Sequence, residues 1–518
     1  MNETIPLTDF KDLYEELNKE KRSEDEFIKE KEKDRIDKIK SDLQKIQNMM
    51  KENCKDILIL DGATKQRTEA DKDKGSVQIA KELYGSYWTQ QYVGVIEYKD
   101  SEGEKDSKEE KKTYRIGSRF DDEDKENQFF LTYVIAKSLK VNVHIFKYMN
   151  AEIGIGSNWD LLEALMFLKN LSDAAKKNVY RTYRYFHSNE PKVKGKIDIA
   201  EQIKRNTPFN GNIACTYREY SIDTPINRLI FTTIKYLERK YPGLVREYIK
   251  ENDHIRTLIN QFTGEIIPVS REELPKLLHA TKKRITNHVY RDWEEVRSMS
   301  QRIMRKRGNL LSGANRNVNG ILFDMNKIWE HYLVNILSST GCMHHGEKDE
   351  GKGFLFEIQE SKTDDNGKRH AKYDLYWNNL ILDAKYKRSW SDLCIEKSTE
   401  DTEKSPWKKV RDDVFQVISY MHIEGVNKGG VIAPCPEDGK KHKIKYRKFK
   451  LTEDKDKDKD KDKDKDKDKD KDKDKDKNDV FHLLGLVIPK ANEFNEFCDA
   501  MKINEEALRE KVKEILNN

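Results

Sequence analysis

Apolar positions recur at three- and four-residue spacing in some stretches of the chain and at two-residue spacing or in short runs in others. The switch between the patterns predicts the order of its elements. In residues 10–55 a thin apolar series (Leu13, Leu17, Ile28, Ile36, Ile39, Leu43, Ile46, Met49) runs through dense Lys and Glu. It predicts a long exposed helix or helical hairpin, a solvated extension at 1–55. Short β-rich runs follow at 57–62 (ILILDG), 92–100 (YVGVIEYKD), 113–120 (TYRIGSRF) and 141–148 (VNVHIFKY), giving a β-rich domain over 56–157. Helical periodicity then dominates 158–315, as in DLLEALMFL and INRLIFTTIKYLERK, with a strand-like interruption at 191–199.

From 316 onward the pattern is mixed. A helix at about 324–337 precedes strands at 353–359, 372–377 and 380–387; a helix at about 408–423 follows, then strands at 429–434, 443–451 and 480–488. Between the last two, residues 454–477 alternate twelve Asp with twelve Lys. As a helix this run would put like charges at i, i+4, and as a strand it would put each sign on one face, so it predicts a flexible insertion. The fold class expected is α+β and multidomain, with a mixed central sheet flanked by helices in the C-terminal part.

Composition narrows the function classes. The chain has 518 residues and 37% charged residues, and 99 Lys+Arg against 94 Asp+Glu leave a net charge of only +5, so any affinity for nucleic acid must come from local charge. Residues 282–307 hold nine Lys and Arg against three acids, and residues 440–450 hold seven against none. Both stretches suit a phosphate backbone, and neither contains an element that reads bases. Six scattered cysteines without C-x-x-C spacing fit a reduced compartment, and Cys342 with His344 and His345 lacks the second ligand pair of a zinc site. No apolar run reaches the roughly 18–20 residues that span a bilayer, and the first residues lack a basic segment followed by an apolar one, so a soluble cytoplasmic protein is expected.

The chemistry concentrates in one hairpin. Asn378-Asn379 joins two apolar strands, and a two-residue turn there pairs residues whose numbers sum to 757, setting Asp374 opposite Asp383. At about 5 Å and an effective dielectric near 20, two carboxylates repel by roughly 3 kcal/mol, a cost that a divalent cation would reverse. Lys385, two residues on, shares the face of Asp383, while Leu382 and Ala384 point into a core. Hard oxygen ligands suit Mg²⁺ or Mn²⁺, and an ammonium group can position a water and offset charge on a phosphate under attack. On the later helix Asp413, Gln416 and Tyr420 form a polar stripe beside Val410, Val414, Val417, Ile418 and Met421. On the earlier helix Glu330 lies about 120° from the centre of the apolar face, a position open to a surface residue and to a third acid of the site.

At these residues the chain resembles the PD-(D/E)xK nuclease superfamily, with Asp374 as first acid and Asp383-Ala384-Lys385 as the D-x-K element. Gln416 to Tyr420 match the Q-x-x-x-Y helix of its RecB-like branch. More narrowly it resembles the McrC family, through YRIGSRF (114–120), GKIDIAEQIKRN (195–206), YREYSIDTPINRLI (217–230), FDMNKIWEHYL (323–333), LILDAKYK (380–387) and DVFQVISYMH (413–422), in that order. The resemblance spans about 90–435. It departs from the pattern in Tyr373, where a proline usually precedes the first acid, and in the charged N-terminal and Asp-Lys additions.

The resemblance implies a PD-(D/E)xK nuclease domain over 316–518, with Asp374 and Asp383 as metal ligands and Lys385 as the catalytic lysine. Glu330, Gln416 and Tyr420 would support them, Glu330 as a further metal ligand. It also implies a Mg²⁺-dependent (or Mn²⁺-dependent) endonuclease subunit of a McrBC-like system that restricts methylated DNA, the β-rich N-terminal domain docking an AAA+ GTPase of the McrB type. No G-x-x-x-x-G-K-[ST] occurs here, so that motor would be a separate chain. The competing expectations are a stand-alone RecB-like repair or defence nuclease and a non-catalytic scaffold of a motor complex.

Overall fold

A computed structural model describes residues 3–13, 26–52, 57–60, 78–83, 86–99, 111–121, 128–140, 159–307, 318–343, 354–357, 368–370, 373–395, 406–439, 442–450 and 479–517. The Asp-Lys run, the expected strand at 141–148 and the two histidines after Cys342 lie outside these residues. The described chain is α+β, with several sheets and helices of both short and long span. It falls into two compact units, one built from described residues up to 140 and from 318 onward, the other from 159–307.

The first unit contains two five-stranded sheets. The first sheet uses β1 (Glu3–Thr8), β2 (Ile57–Leu60), β3 (Tyr92–Lys99), β4 (Lys111–Gly117) and β5 (Val318–Asp324) in the order β1-β4-β3-β5-β2. Its outer pairs are parallel and its inner pairs antiparallel. Helix α1 (Glu26–Glu52) belongs to this core: Ile36, Ile39, Leu43 and Ile46 are buried with Leu13 and with Tyr98, Tyr114 and Ile116 of the strands. Asp42 on the same helix is buried too, accepting from Lys112 Nζ at 2.6 Å and from Tyr114 Oη at 2.5 Å.

Two sequence expectations are corrected here. The described residues of 1–55 are not a solvated extension, because the 3-4-3 spacing of α1 supplies a face wide enough to cover a sheet. The boundary at 55 does not separate bodies either, and the parts expected at 56–157 and 316–518 share one body, since β1 and β2 from one side and β5 from the far side complete the same sheet. Strand pairing between residues some 220 to 260 positions apart leaves no local signature.

The second sheet holds β6 (Leu375–Trp377), β7 (Leu380–Ala384), β8 (Lys428–Pro436), β9 (Ile444–Lys450) and β10 (Val480–Ile488) in the order β6-β7-β8-β10-β9. β7, β8 and β10 run parallel, and antiparallel strands close both edges. The central strands are apolar almost throughout, as expected for strands covered on both faces. Helices α4 (Arg388–Ile395) and α5 (Pro406–Glu424) cover one face: Trp390, Leu393, Val410, Val417 and Met421 pack with Val431, Ala433, Phe481 and Leu483. Three further helices are tied together by one carboxylate. Glu505 of α6 (Phe494–Asn517) accepts from Tyr133 of α2 (Phe129–Ser138) at 2.8 Å and from Tyr332 of α3 (Met325–Leu337) at 2.9 Å. The Asp324 side chain caps α3 by accepting from Asn326 N at 3.1 Å.

The second unit is helical except for a three-stranded antiparallel sheet of Thr182–Glu190, Ile213–Ser221 and the short Lys196–Ile197. The pattern predicted only the last of these. The two long strands escaped because neither face is fully covered: Tyr183, Tyr185 and Tyr220 remain exposed, so no apolar alternation marks them.

Candidate active site

The hairpin forms in the expected register. Leu375 pairs with Leu382, Tyr376 with Ile381 and Trp377 with Leu380, each pair summing to 757. Neither Asn378 nor Asn379 adopts the left-handed backbone anticipated for the turn. A two-residue connection of ordinary hand splays its strands, and the ladder ends after three pairs. Where it ends, Asp374 replaces a strand bond with a side-chain one, its Oδ2 accepting from Ala384 N at 2.8 Å. Asp383 stays locked in the sheet by pairing with Val431, and Lys385 N continues that line by donating to Ile432 O at 3.0 Å.

Asp374 and Asp383 are therefore close neighbours. Burial pushes the Asp374 carboxyl well above the carboxylate range; Asp383 and then Glu330 push the same way, and the Ala384 N–H opposes them. Asp383 is buried, and its Oδ2 accepts no well-aligned hydrogen bond, although Lys385 Nζ lies 2.7 Å away. Burial pulls the Lys385 ammonium down, but Asp383 and Asp413 outweigh it and hold the group above its ordinary value.

α5 supplies the other wall. Lys385 Nζ donates to Gln416 Oε1 at 3.0 Å, and Gln416 Nε2 donates to Tyr420 Oη at 2.8 Å, so the amide is oriented from both ends. Tyr420 is buried, its ring edge-on to Tyr373 at 6.0 Å, and burial raises its hydroxyl pKa against the opposing Gln416 bond. The stripe at 413, 416 and 420 thus lies against the hairpin rather than in solvent.

Glu330 is 9% exposed and pairs with Lys327 Nζ at 2.7 Å, one turn back on α3. It is near enough to raise Asp374, so the surface alternative does not describe it. Burial lowers Lys327, but Glu330 and Asp374 outweigh it and raise the group above its usual value.

Lys387 was not among the expected site residues, and Asp413 was expected on the polar stripe without a role of its own. Asp413 Oδ1 lies 2.7 Å from Lys387 Nζ and 3.4 Å from Lys385 Nζ, and Asp413 Oδ2 accepts from Trp390 Nε1 at 2.9 Å. Its pKa is lowered, with burial opposed by Lys385 and by the Lys387 hydrogen bond and charge. The signal was available: Lys385 and Lys387 share a strand face, and Asp413 shares a helix face with Gln416.

The donor set fits a hard divalent cation. One buried carboxylate oxygen lacks a well-aligned hydrogen bond, a second carboxylate is held against it at a cost, and Mg²⁺ is commonly bound by one or two carboxylates while keeping several waters. Among the described residues no group of three or more His, Cys, Asp or Glu is gathered for metal binding, and Glu330 is paired with Lys327. Cys342 offers nothing comparable, since burial pushes its thiol up to about 12.

The basic stretches separate by location. In 282–307, Arg297 is spent on Glu294 and Thr281 O, and Arg302 on the buried Glu163, leaving Lys282, Lys283, Arg284 and Arg291 exposed. In the other stretch Lys448 and Lys450 are exposed on the edge strand β9.

The family model for McrBC 5-methylcytosine restriction system components matches residues 88–434, two thirds of the chain. The chain belongs to this family. All six site residues expected from the sequence lie within the matched span, whereas β9, β10 and α6 lie beyond it. Among solved structures, a chain of the half-complex from a tetradecameric assembly of Thermococcus gammatolerans McrB AAA+ hexamers with bound McrC is similar at 15% identity and TM-score 0.41, covering 96% of this chain and 99% of that one. A chain of the Thermococcus gammatolerans McrBC complex is similar at 17% identity and TM-score 0.30, covering 65% and 87%. Family membership rests on the family model rather than on these two likenesses. No curated protein matches the chain. Among the described residues no helix is long and apolar enough to cross a membrane.

Proposed function

We propose that this McrBC family member is the nuclease subunit of its restriction system, a metal-dependent DNA endonuclease with a PD-(D/E)xK core that works with a separate AAA+ GTPase on methylated DNA. The observation that carries this reading is the Asp374–Asp383 pair with Lys385 Nζ 2.7 Å from Asp383 Oδ2, all at the open end of one hairpin. Asp374 and Asp383 would hold Mg²⁺ or Mn²⁺, with Glu330 able to reach the site through a water. When bound, the metal would supply Lewis-acid polarisation of the scissile phosphate and a more acidic water.

The remaining work falls to the chain. Lys385, kept charged by Asp383 and Asp413, orients the attacking water and offsets charge on the phosphate. Gln416, fixed by Tyr420, holds the ammonium group in place, and Asp413 shares its charge between Lys385 and Lys387 so that neither swings away. Lys448 and Lys450 offer contacts to the DNA backbone. Recognition of the methylated base and nucleotide hydrolysis belong to the partner, consistent with the missing phosphate-binding loop in this sequence.

The test uses plasmid DNA carrying 5-methylcytosine, the full chain, Mg²⁺, GTP and an AAA+ GTPase of the McrB type. Cleavage is expected only with all components, and Lys385→Ala is expected to lower the rate by at least about 10²-fold. Calorimetry with Mn²⁺ supplies a readout independent of turnover: an Asp374→Ala/Asp383→Ala double variant that keeps wild-type affinity would overturn the site. Full activity of the chain alone would overturn the partnership.

A further inference from the structure

Beyond the end of β7 the main chain is tied at each of three successive residues. Lys385 N donates to Ile432 O at 3.0 Å, Tyr386 O accepts from Arg119 Nη2 at 2.6 Å, and Lys387 O accepts from Trp390 N at 3.2 Å as α4 begins. Tyr386 is buried, whereas the ammonium groups on either side of it both reach Asp413 Oδ1, Lys385 at 3.4 Å and Lys387 at 2.7 Å. Asp413 is itself buried and fixed by Trp390 Nε1 at 2.9 Å. Two cations therefore stand against one anchored carboxylate.

Their surroundings differ. Lys385 Nζ is enclosed by three oxygens, Asp383 Oδ2 at 2.7 Å, Gln416 Oε1 at 3.0 Å and Asp413 Oδ1, and its side chain is 15% exposed. An ammonium group carries three N–H donors, so this one has little left for a further ligand. Among the described residues the bonds of Lys387 Nζ go to the two oxygens of Asp413, at 2.7 and 2.9 Å, and its side chain is 46% exposed. One of its donors is left to face solvent. Asp374 and Asp383 are the candidate metal ligands, so Asp413 is left to balance two ammonium groups, and one would neutralise it. The second is surplus, exposed and held in place.

We propose that Lys387 is the strand-holding cation of this site: its exposed N–H binds a non-bridging oxygen of the DNA phosphate next to the scissile one and sets the strand in register with Lys385 and the carboxylates. This rests on the nuclease reading above. Because both ammonium groups touch one carboxylate oxygen, they are close enough to serve neighbouring phosphates of one strand. Lys385 works at the water and the reacting phosphate, and Lys387 works at the adjacent one. Asp413 anchors both, and the Arg119 bond to Tyr386 O keeps the main chain between them from turning either away. A contact to a phosphate that does not react is the same before and during bond breaking, so it contributes to DNA binding and carries no base preference.

The test reads binding apart from cleavage. The full chain is titrated into a fluorescent DNA duplex with Ca²⁺ in place of Mg²⁺, over a series of salt concentrations, and anisotropy gives the affinity. Lys387→Gln removes the charge but can still donate to Asp413, which keeps its bonds to Lys385 and Trp390. It is expected to weaken binding about threefold or more, equally for methylated and unmethylated duplexes, and to reduce the slope of log affinity against log salt by about 0.9, the loss of one phosphate contact. Lys387→Arg should restore both, and Mn²⁺ affinity by calorimetry should stay unchanged in each variant. Wild-type affinity and slope in Lys387→Gln would overturn the inference, and so would weaker binding with an unchanged slope, which would leave Lys387 as a counter-ion of Asp413 alone. Either result leaves the nuclease reading standing if the wild-type assembly cuts methylated plasmid. A wild-type chain that neither binds the duplex nor cuts overturns both.

Discussion

The Arg119 guanidinium donates to the main-chain oxygen of Tyr386 at 2.6 Å, across 267 positions of sequence. Tyr386 stands between Lys385 and Lys387, so this bond joins the loop after β4 to the backbone of the candidate catalytic segment. The guanidinium also lies over the rings of Phe10, Phe120 and Tyr386 at 5.1, 4.6 and 4.4 Å, and Ser118 Oγ is 2.9 Å from Tyr386 Oη. Asp9, fully buried at its side chain, accepts from Arg119 N at 2.7 Å and faces its guanidinium.

Removing that guanidinium should leave Asp9 buried without its counter-ion. Burial raises Asp9, and Arg119 is the largest opposing influence. Arg119→Met is expected to cost about 3 kcal/mol of folding stability, in the range for breaking a buried pair, and Asp9→Asn in the same background should recover part of it. Urea denaturation of the two variants measures both. A loss under about 0.5 kcal/mol for Arg119→Met would show that the pair contributes no more than a surface contact.

Asp413 should act on turnover rather than on metal binding. Its carboxylate touches Lys385 and Lys387 but neither Asp374 nor Asp383, so Asp413→Asn should reduce cleavage about tenfold and leave Mn²⁺ affinity unchanged. Asp383→Asn should lose both. Equal loss of metal affinity in the two variants would make Asp413 a ligand instead.

His482 should make the protein acid-sensitive. Burial, and then Lys448, Lys428 and Lys511, lower its pKa to about 4, and Tyr446 Oη lies 2.9 Å from its Nδ1. An unfolded histidine titrates near 6.5, so below that pH the unfolded chain takes up a proton that the folded chain resists until about 4. Stability from this residue is complete above pH 6.5 and lost as pH falls from there to about 4. The urea midpoint should drop between pH 7.5 and 5, and less so in His482→Gln. An identical slope in both proteins would remove His482 as the cause.

Legibility varied with the range of the interaction that fixed each feature. The hairpin register at 375–382 was readable, because a two-residue turn and alternating apolar residues determine it locally. The helix at Pro406–Glu424 and its polar stripe were readable for the same reason. The left-handed turn was not confirmed: three ladder pairs suffice when β7 is held from its other side by β8. The α1 helix was located, but its burial was missed, because thin apolar spacing looks solvated until a sheet is known to lie beneath it. The strands at Thr182–Glu190 and Ile213–Ser221 escaped because the first has no fully buried residue and the second only Ala214 and Cys215, too little to give either an apolar period in the sequence.

The amino-acid order alone determined the elements around the candidate site and the hairpin register at whose open end Asp374 and Asp383 come together, since each follows from backbone geometry over fewer than a dozen residues. Tertiary structure decided the rest: that β5 completes a sheet with strands from the N-terminus, that Glu330 and Asp413 approach the hairpin, and that Arg119 grips Tyr386. These depend on which surfaces are buried together, and burial energy is nearly blind to separation along the chain.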